Sequence, residues 1–571
     1  MQRILFTHYK NAIENCVSEE FKDMVSVEPP KNEAFGDFST NIAMILAKKV
    51  RRAPIEIANE IAEKLKKNED FSEISVKAPG FINWRVPRHV FFSHFPTVLD
   101  KNFGKINLGK WKKVNIEYVS ANPTGPMHAG HARGAVSGDV LANLMKFVGY
   151  DVTKEYYIND AGNQINILAK SLYYRYLEQC GKAEGSLPEW AYPGDYLIDT
   201  AKKIYSQHGD KYVDKDESEW IGFFKEFAIQ DMMALIKEDL KDLGIQHDVF
   251  SSELKLVKDG AVDRALKYLE DNGLVYLGVL DSPKGREDED WEEREHLLFR
   301  STKFGDDVDR VLKKSDGSWT YFASDIAYHM DKINRGFEEL IDFWGADHGG
   351  YVKRMQAAVS AISNSTRELK VQIVQLVRFM KDGQEVRMSK RAGTFVTVRD
   401  VLDNVGRDVI RFMMLTRRDD APLDFDFQKV VEQSKENPVF YVQYAYARTH
   451  SVLKQFFNTF SVDKIPEISS VNLNLLEDAD LEILKILLDW PRQIAMAANK
   501  REPHRIAFYL MDLAAKFHFL WNLGKDNTIM RFILADDFEK TAARMVLLKA
   551  VQNVIEIAFE IMGITPVEEL R

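Results

Sequence analysis

The chain has 571 residues, 45% hydrophobic and 29% charged, with a formal charge of -10 and two cysteines. That length exceeds one core and implies roughly three to four domains, while the composition is that of a soluble globular protein with no apolar run long enough for a membrane span. Two cysteines, Cys16 and Cys180, exclude a disulfide framework and fit a reducing cytosol, and the negative balance argues against indiscriminate nucleic-acid binding while leaving room for local basic patches.

Met1 to Lys10 has no apolar core followed by a cleavage site, so nothing suggests export. Residues 1–108 read as a small α/β domain: Ile42 to Lys67 holds two amphipathic helices split by Pro54, and Ile74 to Val86 is strand material with Gly80 at a turn. Lys48, Lys49, Arg51 and Arg52 form a basic cluster that reads either as a phosphate contact or as a solvated helix end.

Residues 109–435 alternate strands and helices, the pattern of a parallel sheet with crossovers. Val114 to Val119 alternates as a strand does, and Ala129 to Val148 has helical spacing. Between them Asn122, Pro123, Gly125 and Pro126 break both elements, so a helix is expected from near Met127, with His128 and His131 in its first turn. Three residues apart, these imidazoles share a helix face beside free backbone N–H groups, a setting suited to phosphate, and Gly130 lets a ligand approach the backbone. The pair could also be half of a metal site, but zinc usually needs three or four ligands and no Cys or further His lies nearby in sequence.

Tyr150 to Ile158 reads as the next strand, Gln164 to Leu177 as a helix, Cys180 to Tyr196 as a loop, and Asp281 to Glu295 as an acidic surface loop. No internal repeat occurs, and neither the P-loop nor the dinucleotide glycine pattern stands in a usable context. Tyr321 and Asp325, four apart, put a phenol and a carboxylate on one side of a helix or tight turn, able to frame a guanidinium, although such pairs are common on solvated helices. Phe343 to Gly350 reads as a strand opening into a loop, the edge where doubly wound sheets bind ligands. There Asp347 could accept from ribose hydroxyls and His348 could hydrogen-bond an ammonium, with an acid/base dyad or a structural cap as alternatives.

The strand Val371 to Phe379 precedes a basic loop, Val386 to Arg391 with Gly393 behind it, which either closes over a triphosphate or is merely solvated. From about Asn437 onward, Tyr441 to Leu453, Leu481 to Ala498, Arg505 to Leu523 and Thr541 to Met562 give an antiparallel helical bundle. Tyr441, Tyr444, Arg448 and Trp521 are able to stack on unpaired bases, or belong to the core.

The stretch Val119-Ser-Ala-Asn-Pro-Thr-Gly-Pro-Met-His-Ala-Gly-His-Ala-Arg133 resembles the nucleotide signature of class I aminoacyl-tRNA synthetases and related nucleotidylyltransferases, and its longer string resembles the arginyl-tRNA synthetase version. Asn32 to Asn41 and Ala78 to Asn83 are similar to that family's N-terminal domain, Phe304 to Arg310 and Tyr321 to His329 to its arginine-selecting segment, and Asn437 to Arg448 to the opening of its anticodon-binding domain. Arg387-Met-Ser-Lys-Arg391 resembles the class I Lys-Met-Ser-Lys-Ser loop, with arginine for the first lysine and for the last serine, so the catalytic contact falls to Lys390.

The resemblance implies an α/β fold: a Rossmann-like parallel-sheet catalytic domain at 109–435, a tRNA-contacting α/β domain at 1–108 and a helical anticodon-binding domain at 436–571. It implies ATP-dependent activation of L-arginine and transfer to the 3′ end of tRNA(Arg), magnesium accompanying ATP, a need for tRNA before activation, and a cytoplasmic monomer. Ser120, Ala121, Asn122, His131, Tyr321, Asp325 and His348 are then expected on arginine, and His128, Gly130, His131, Asp347, Met388, Ser389 and Lys390 on ATP. His128, His131 and Lys390 would stabilise phosphate charge. Other readings are a class I synthetase for a different amino acid, a nucleotidylyltransferase and a non-catalytic tRNA-binding relative.

Overall fold

The structure, a computed structural model, describes residues 4–30, 32–183, 185–279, 295–381, 383–386, 396–432, 434 and 437–570. Two compact units emerge: Gly109–Glu432, and a second made of Met1–Leu108 together with Gln433–Arg571.

Gly109–Glu432 is built on five strands, β1 (Lys113–Glu117), β2 (Asp151–Ile158), β3 (Val249–Ser252), β4 (Glu339–Gly345) and β5 (Leu369–Val374), in the order β5-β4-β1-β2-β3. Every neighbouring pair is parallel, so the connections must cross a face of the sheet, among them helix α1 (His131–Phe147) after β1 and α2 (Asn163–Gln179) after β2. The chain starts at the central β1, builds outward through β2 and β3, then returns to lay β4 on the other side of β1. That reversal opens a crevice at the carboxyl ends of β1 and β4, where open α/β sheets bind ligands. Helix α3 (Tyr321–Asn334) and the 3₁₀ turn Ala346–Tyr351 flank the same ends.

Two local expectations change. Helix α1 begins at His131, with Gly130 as its cap, rather than near Met127. The reason is that the preceding backbone is already engaged: the Ala129 N–H donates to the Val396 carbonyl at 2.8 Å and the Val398 N–H to the Met127 carbonyl at 2.8 Å. The apolar run Val371 to Phe379 is also not one strand. It leaves the parallel sheet at Val374, and Val377–Lys381 joins a separate sheet between Gln384–Glu385 and Leu423–Asp426. The link exposes Leu376, and an unbroken apolar run carries no mark of such a switch. The acidic stretch Asp281 to Glu295 falls, but for Glu295, outside the described residues, as does the basic loop from Arg387 to Arg391.

In the other unit a three-stranded antiparallel sheet, Phe38–Thr40, Phe81–Arg85 and Ser72–Lys77, packs with helices Ile42–Val50 and Pro54–Leu65. Pro54 sits in the first turn of its helix, where its missing N–H costs nothing. Arg52 of the basic cluster ion-pairs with Glu60, so part of that cluster's charge is spent on the next helix. Four helices, Pro438–Phe460, Asp478–Lys500, His504–Asp526 and Phe538–Met562, form the bundle. Buried bonds tie the bundle to the N-terminal stretch: Trp490 Nε1 donates to the Phe103 carbonyl at 3.2 Å, and Asn553 Nδ2 to the carbonyls of Val98 and Asp100 at 2.7 and 2.8 Å. No helix among the described residues is long and apolar enough to cross a membrane.

Candidate active site

Strand β1 ends at Glu117, and the chain then turns through two non-glycine residues with left-handed backbone, Val119 at φ 72° and Ser120 at φ 39°. For a β-branched residue this is a true outlier, costing on the order of 1–3 kcal/mol, and such strain gathers at functional turns. Hydrogen bonds hold the turn: Ser120 Oγ donates to Glu117 Oε1 at 2.9 Å and accepts the Tyr157 N–H at 3.1 Å, while the Tyr156 hydroxyl donates to the Ala121 carbonyl at 2.7 Å. Asn122 is exposed and donates to Gln164 Oε1 at 3.1 Å.

The rings of His128 and His131 stack 3.6 Å apart at 24°. A Cβ on Gly130 would lie 2.9 Å from His128 Nδ1, so a side chain here would push that ring from its place. His128 bridges Thr397, which lies just past the basic loop. The base of that loop is therefore seated on the first signature, although some 270 residues separate them in the chain (397 minus 128 is 269). Met388, Ser389 and Lys390 themselves lie outside the described residues.

Across the crevice, Thr320 caps α3 and Tyr321 opens it. The Tyr321 ring is exposed, and its hydroxyl would lie 3.4 Å from a Cβ on Gly162, just beyond β2. One turn on, Asp325 Oδ2 accepts the Tyr351 hydroxyl at 2.6 Å. Burial raises the Asp325 pKa, and the Tyr351 hydroxyl and His329 oppose the rise without cancelling it. Tyr321 and Asp325 thus share a helix face, the phenol open to solvent and the carboxylate inside. Asp347 and His348 lie on the exposed turn after β4, 3.5 Å from one another.

Three groups that the sequence did not single out complete this side. Glu253 starts a short helix after β3, held there by Asp160, which accepts from Ser252 Oγ at 2.6 Å and the Leu254 N–H at 2.7 Å. Burial pushes the Glu253 carboxyl up to about 7; Asp325 adds to that, the Ser324 hydroxyl opposes it and Asp160 adds a little more. Tyr157, on β2, is nearly buried, and its hydroxyl has no hydrogen-bond partner among the described residues. Burial, then Glu253, Asp325, Glu117 and Asp160, raise its pKa, so the phenol stays protonated amid carboxylates. Tyr351 is the third. Two carboxylates with raised pKa, one buried and one half-buried, with a spare donor beside them, make this a place short of positive charge.

Models of three family domains match the chain: the arginyl tRNA synthetase N-terminal domain at residues 5–86, the class I (R) tRNA synthetase catalytic domain at 95–434 and the DALR anticodon-binding domain at 442–570. An arginine–tRNA ligase of Parvibaculum lavamentivorans is 52% identical over 96% of this chain and 94% of its own length. The chain belongs to the arginyl-tRNA synthetases. A second arginine–tRNA ligase, from Xanthobacter autotrophicus, is 50% identical over 100% of this chain and 99% of its own length. The solved Thermus thermophilus arginyl-tRNA synthetase superposes with a TM-score of 0.74 over 98% of this chain and 100% of its own, at 20% identity, which speaks for the fold. The parallel sheet, the small N-terminal α/β part and the helical bundle are thus the architecture of this family.

In the synthetase's bundle, Arg448 lies between the rings of Tyr444 and Trp521, 3.9 and 4.6 Å from their centroids, and donates to the Tyr444 hydroxyl at 2.7 Å. Of the four residues read from the sequence, Tyr444, Arg448 and Trp521 thus form one cation–π cluster, while Tyr441 packs on His518 at 4.5 Å.

Proposed function

We propose that this synthetase is an arginine–tRNA ligase that activates L-arginine with ATP and transfers it to the 3′ end of tRNA(Arg), and that its guanidinium pocket is the space bounded by Tyr321, Asp325, Glu253 and Tyr157. The observation that carries this is a pair of carboxylates, Glu253 buried and Asp325 half-buried, both with raised pKa, beside a phenol with no partner among the described residues. A guanidinium offers five N–H donors in a plane and stays charged, so it satisfies both carboxylates at once where a neutral or single-point cation does not.

With the side chain held there, the substrate's amino and carboxylate end reaches Ser120, Ala121, Asn122, His131 and His348. Its carboxylate oxygen attacks the α-phosphorus of ATP in line, the bond to pyrophosphate breaks, and arginyl-adenylate forms. A terminal ribose hydroxyl of tRNA then attacks the arginyl carbonyl, releasing AMP. ATP enters as its magnesium complex, against His128, Gly130, His131, Asp347, Met388, Ser389 and Lys390. His128, His131 and Lys390 stabilise the charge that develops on the phosphates, and little covalent chemistry is asked of the protein. The Tyr444–Arg448–Trp521 platform meets unpaired tRNA bases by stacking. The enzyme works as a monomer in the cytoplasm.

The test is pyrophosphate exchange with each amino acid, with and without tRNA. Exchange is expected with arginine only, and only when tRNA(Arg) is added. Exchange with another amino acid and none with arginine would overturn the assignment; exchange that needs no tRNA favours a nucleotidylyltransferase.

A further inference from the structure

Beneath the crevice, one ammonium joins the two sides of the proposed arginine site. Lys332, on α3, is fully buried, lies over the Tyr328 ring at 4.5 Å, and donates to Glu117 Oε2 at 2.6 Å and to Asp342 Oδ1 at 3.0 Å. Each carboxylate spends its other oxygen on the site. Glu117 Oε1 accepts the Ser120 hydroxyl at 2.9 Å. Asp342 Oδ2 contacts His329 Nε2 at 3.0 Å, and the other nitrogen of that ring lies 2.8 Å from the Asp325 carbonyl. A continuous chain thus runs from Ser120 through Glu117, Lys332, Asp342 and His329 to the backbone of Asp325.

The chain also fixes a polarity. A serine hydroxyl has one donor and two acceptor sites. Here the donor is spent on Glu117 and one acceptor on the Tyr157 N–H, leaving a lone pair for a substrate donor. An α-ammonium fits that lone pair; a carboxylate does not. Without Lys332, Glu117 and Asp342 would be two buried carboxylates without their shared ammonium, and Ser120 would lose its fixed orientation on a turn already held in left-handed backbone.

We propose that Lys332 is a positioning residue for arginine activation: through Glu117 it sets Ser120 to receive the substrate's α-ammonium, and through Asp342 and His329 it sets the helix turn that carries Asp325, so that one buried cation fixes the spacing between the two ends of the amino-acid site. The proposal rests on the reading of this crevice as the arginine site. The cation acts more strongly on Asp342 than on Glu117, where burial, helped by Asp342, outweighs Lys332 and leaves the carboxyl raised. Burial works to raise Asp342, but Lys332, with the His329 hydrogen bond, outweighs it and holds that carboxyl down at about 2. Burial also works against the charge on Lys332, and Asp342 and Glu117 outweigh it, raising its pKa.

The experiment compares Lys332→Met and the milder Glu117→Gln with the unaltered enzyme by tRNA-dependent pyrophosphate exchange, titrating arginine and ATP separately. A misplaced substrate end of the order of 1 Å predicts an arginine KM raised at least about tenfold in Lys332→Met. ATP KM should stay within about twofold, and Glu117→Gln, whose amide oxygen still accepts from Ser120, should shift arginine KM less. Lys154→Met is the control: Lys154 donates to Asp139 at 2.6 Å in a buried network with Arg411 and Tyr118 that includes no hydrogen bond of Ser120 or Asp325, so it costs stability while leaving theirs in place. Equal shifts for arginine and ATP, or the same arginine shift in Lys154→Met, would overturn the proposal. If Lys332→Met does not fold, Glu117→Gln and Asp342→Asn carry the test, and arginine KM unchanged in both would overturn it. Absence of arginine exchange in the unaltered enzyme would instead remove the arginine reading itself.

Discussion

The two sides of the crevice are made of different material. On the side of α3, Asp325, Glu253, Tyr157 and Tyr351 are buried or half-buried side chains from four separate elements, and burial raises the pKa of both carboxyl groups. On the side of α1, the structure offers two stacked imidazoles, a glycine against which one of them packs, and backbone bridged to Thr397, the residue that caps the helix Val398–Val405 beyond the basic loop. On the proposed function, the first side selects by fixed, desolvated charge and the second grips by position. Substitutions on the first should therefore appear as lost affinity for one amino acid, and those on the second as lost turnover for whatever amino acid is bound.

Asp325→Asn tests the first half of that contrast and should have the largest effect. It keeps the shape and the Tyr351 hydrogen bond but removes the charge facing the guanidinium. Truncating a buried charge pair costs about 2–5 kcal/mol, so kcat/KM for arginine should fall by on the order of 10³-fold with ATP KM almost unchanged. A comparable rise in ATP KM would erase the division between the sides. Next in size, Lys390→Ala should lower kcat by about 10²-fold, the loss expected when one donor to developing charge is removed, while arginine KM moves little. Steady-state and single-turnover exchange would separate these; an unchanged activation rate would take Lys390 out of the chemistry.

How much of this was readable beforehand follows from how far apart in the chain the partners lie. The stretch Val119 to Arg133 announces itself because its breakers, its glycine and both histidines are neighbours, and strand, turn and helix occur in the predicted order. That Tyr321 and Asp325 share a helix face was legible from their four-residue spacing, but their choice as an arginine site came from the family resemblance of the segments around them. Glu253 was not: it reads as an ordinary acidic residue in the first turn of a short helix behind the capping residue Ser252, and only the β2–β3 crossover brings it to Asp325. Tyr157 looked like one more aromatic on a strand, and Lys332 like a charge on a helix. A lysine facing the sheet is betrayed only by buried acids on β1 and β4, Glu117 and Asp342, which are more than 200 positions apart in the chain (342 minus 117 is 225). Glu117 and Asp342 both sit in inner strands of a parallel sheet, where both faces are covered, and an acid there was the local sign available.

The smallest effect, and the finest cut between the two sides, concerns pH. The Glu253 carboxyl titrates at about 7 against an ordinary value of 4.5, because it is buried and faces Asp325. A guanidinium needs it ionised, so arginine affinity should weaken as pH falls through about 7, whereas ATP KM should not follow the same curve. Stability runs the opposite way. A carboxyl whose pKa is raised on folding favours the folded state fully below 4.5, and that favour is lost as pH rises through about 7, so without arginine this group makes the unit more stable on acidification. Arginine should recover the loss by supplying the missing cation, and its stabilising effect should therefore be greater at pH 8 than at pH 6. Glu253→Gln is expected to flatten both curves and to raise arginine KM by about tenfold, the cost of one charge-assisted hydrogen bond. Arginine and ATP titrations across this range, with thermal unfolding in parallel, would check it. If the pH dependence of arginine KM survives in Glu253→Gln, the titrating group is elsewhere, and Asp325 alone must then account for the acidic side of the pocket.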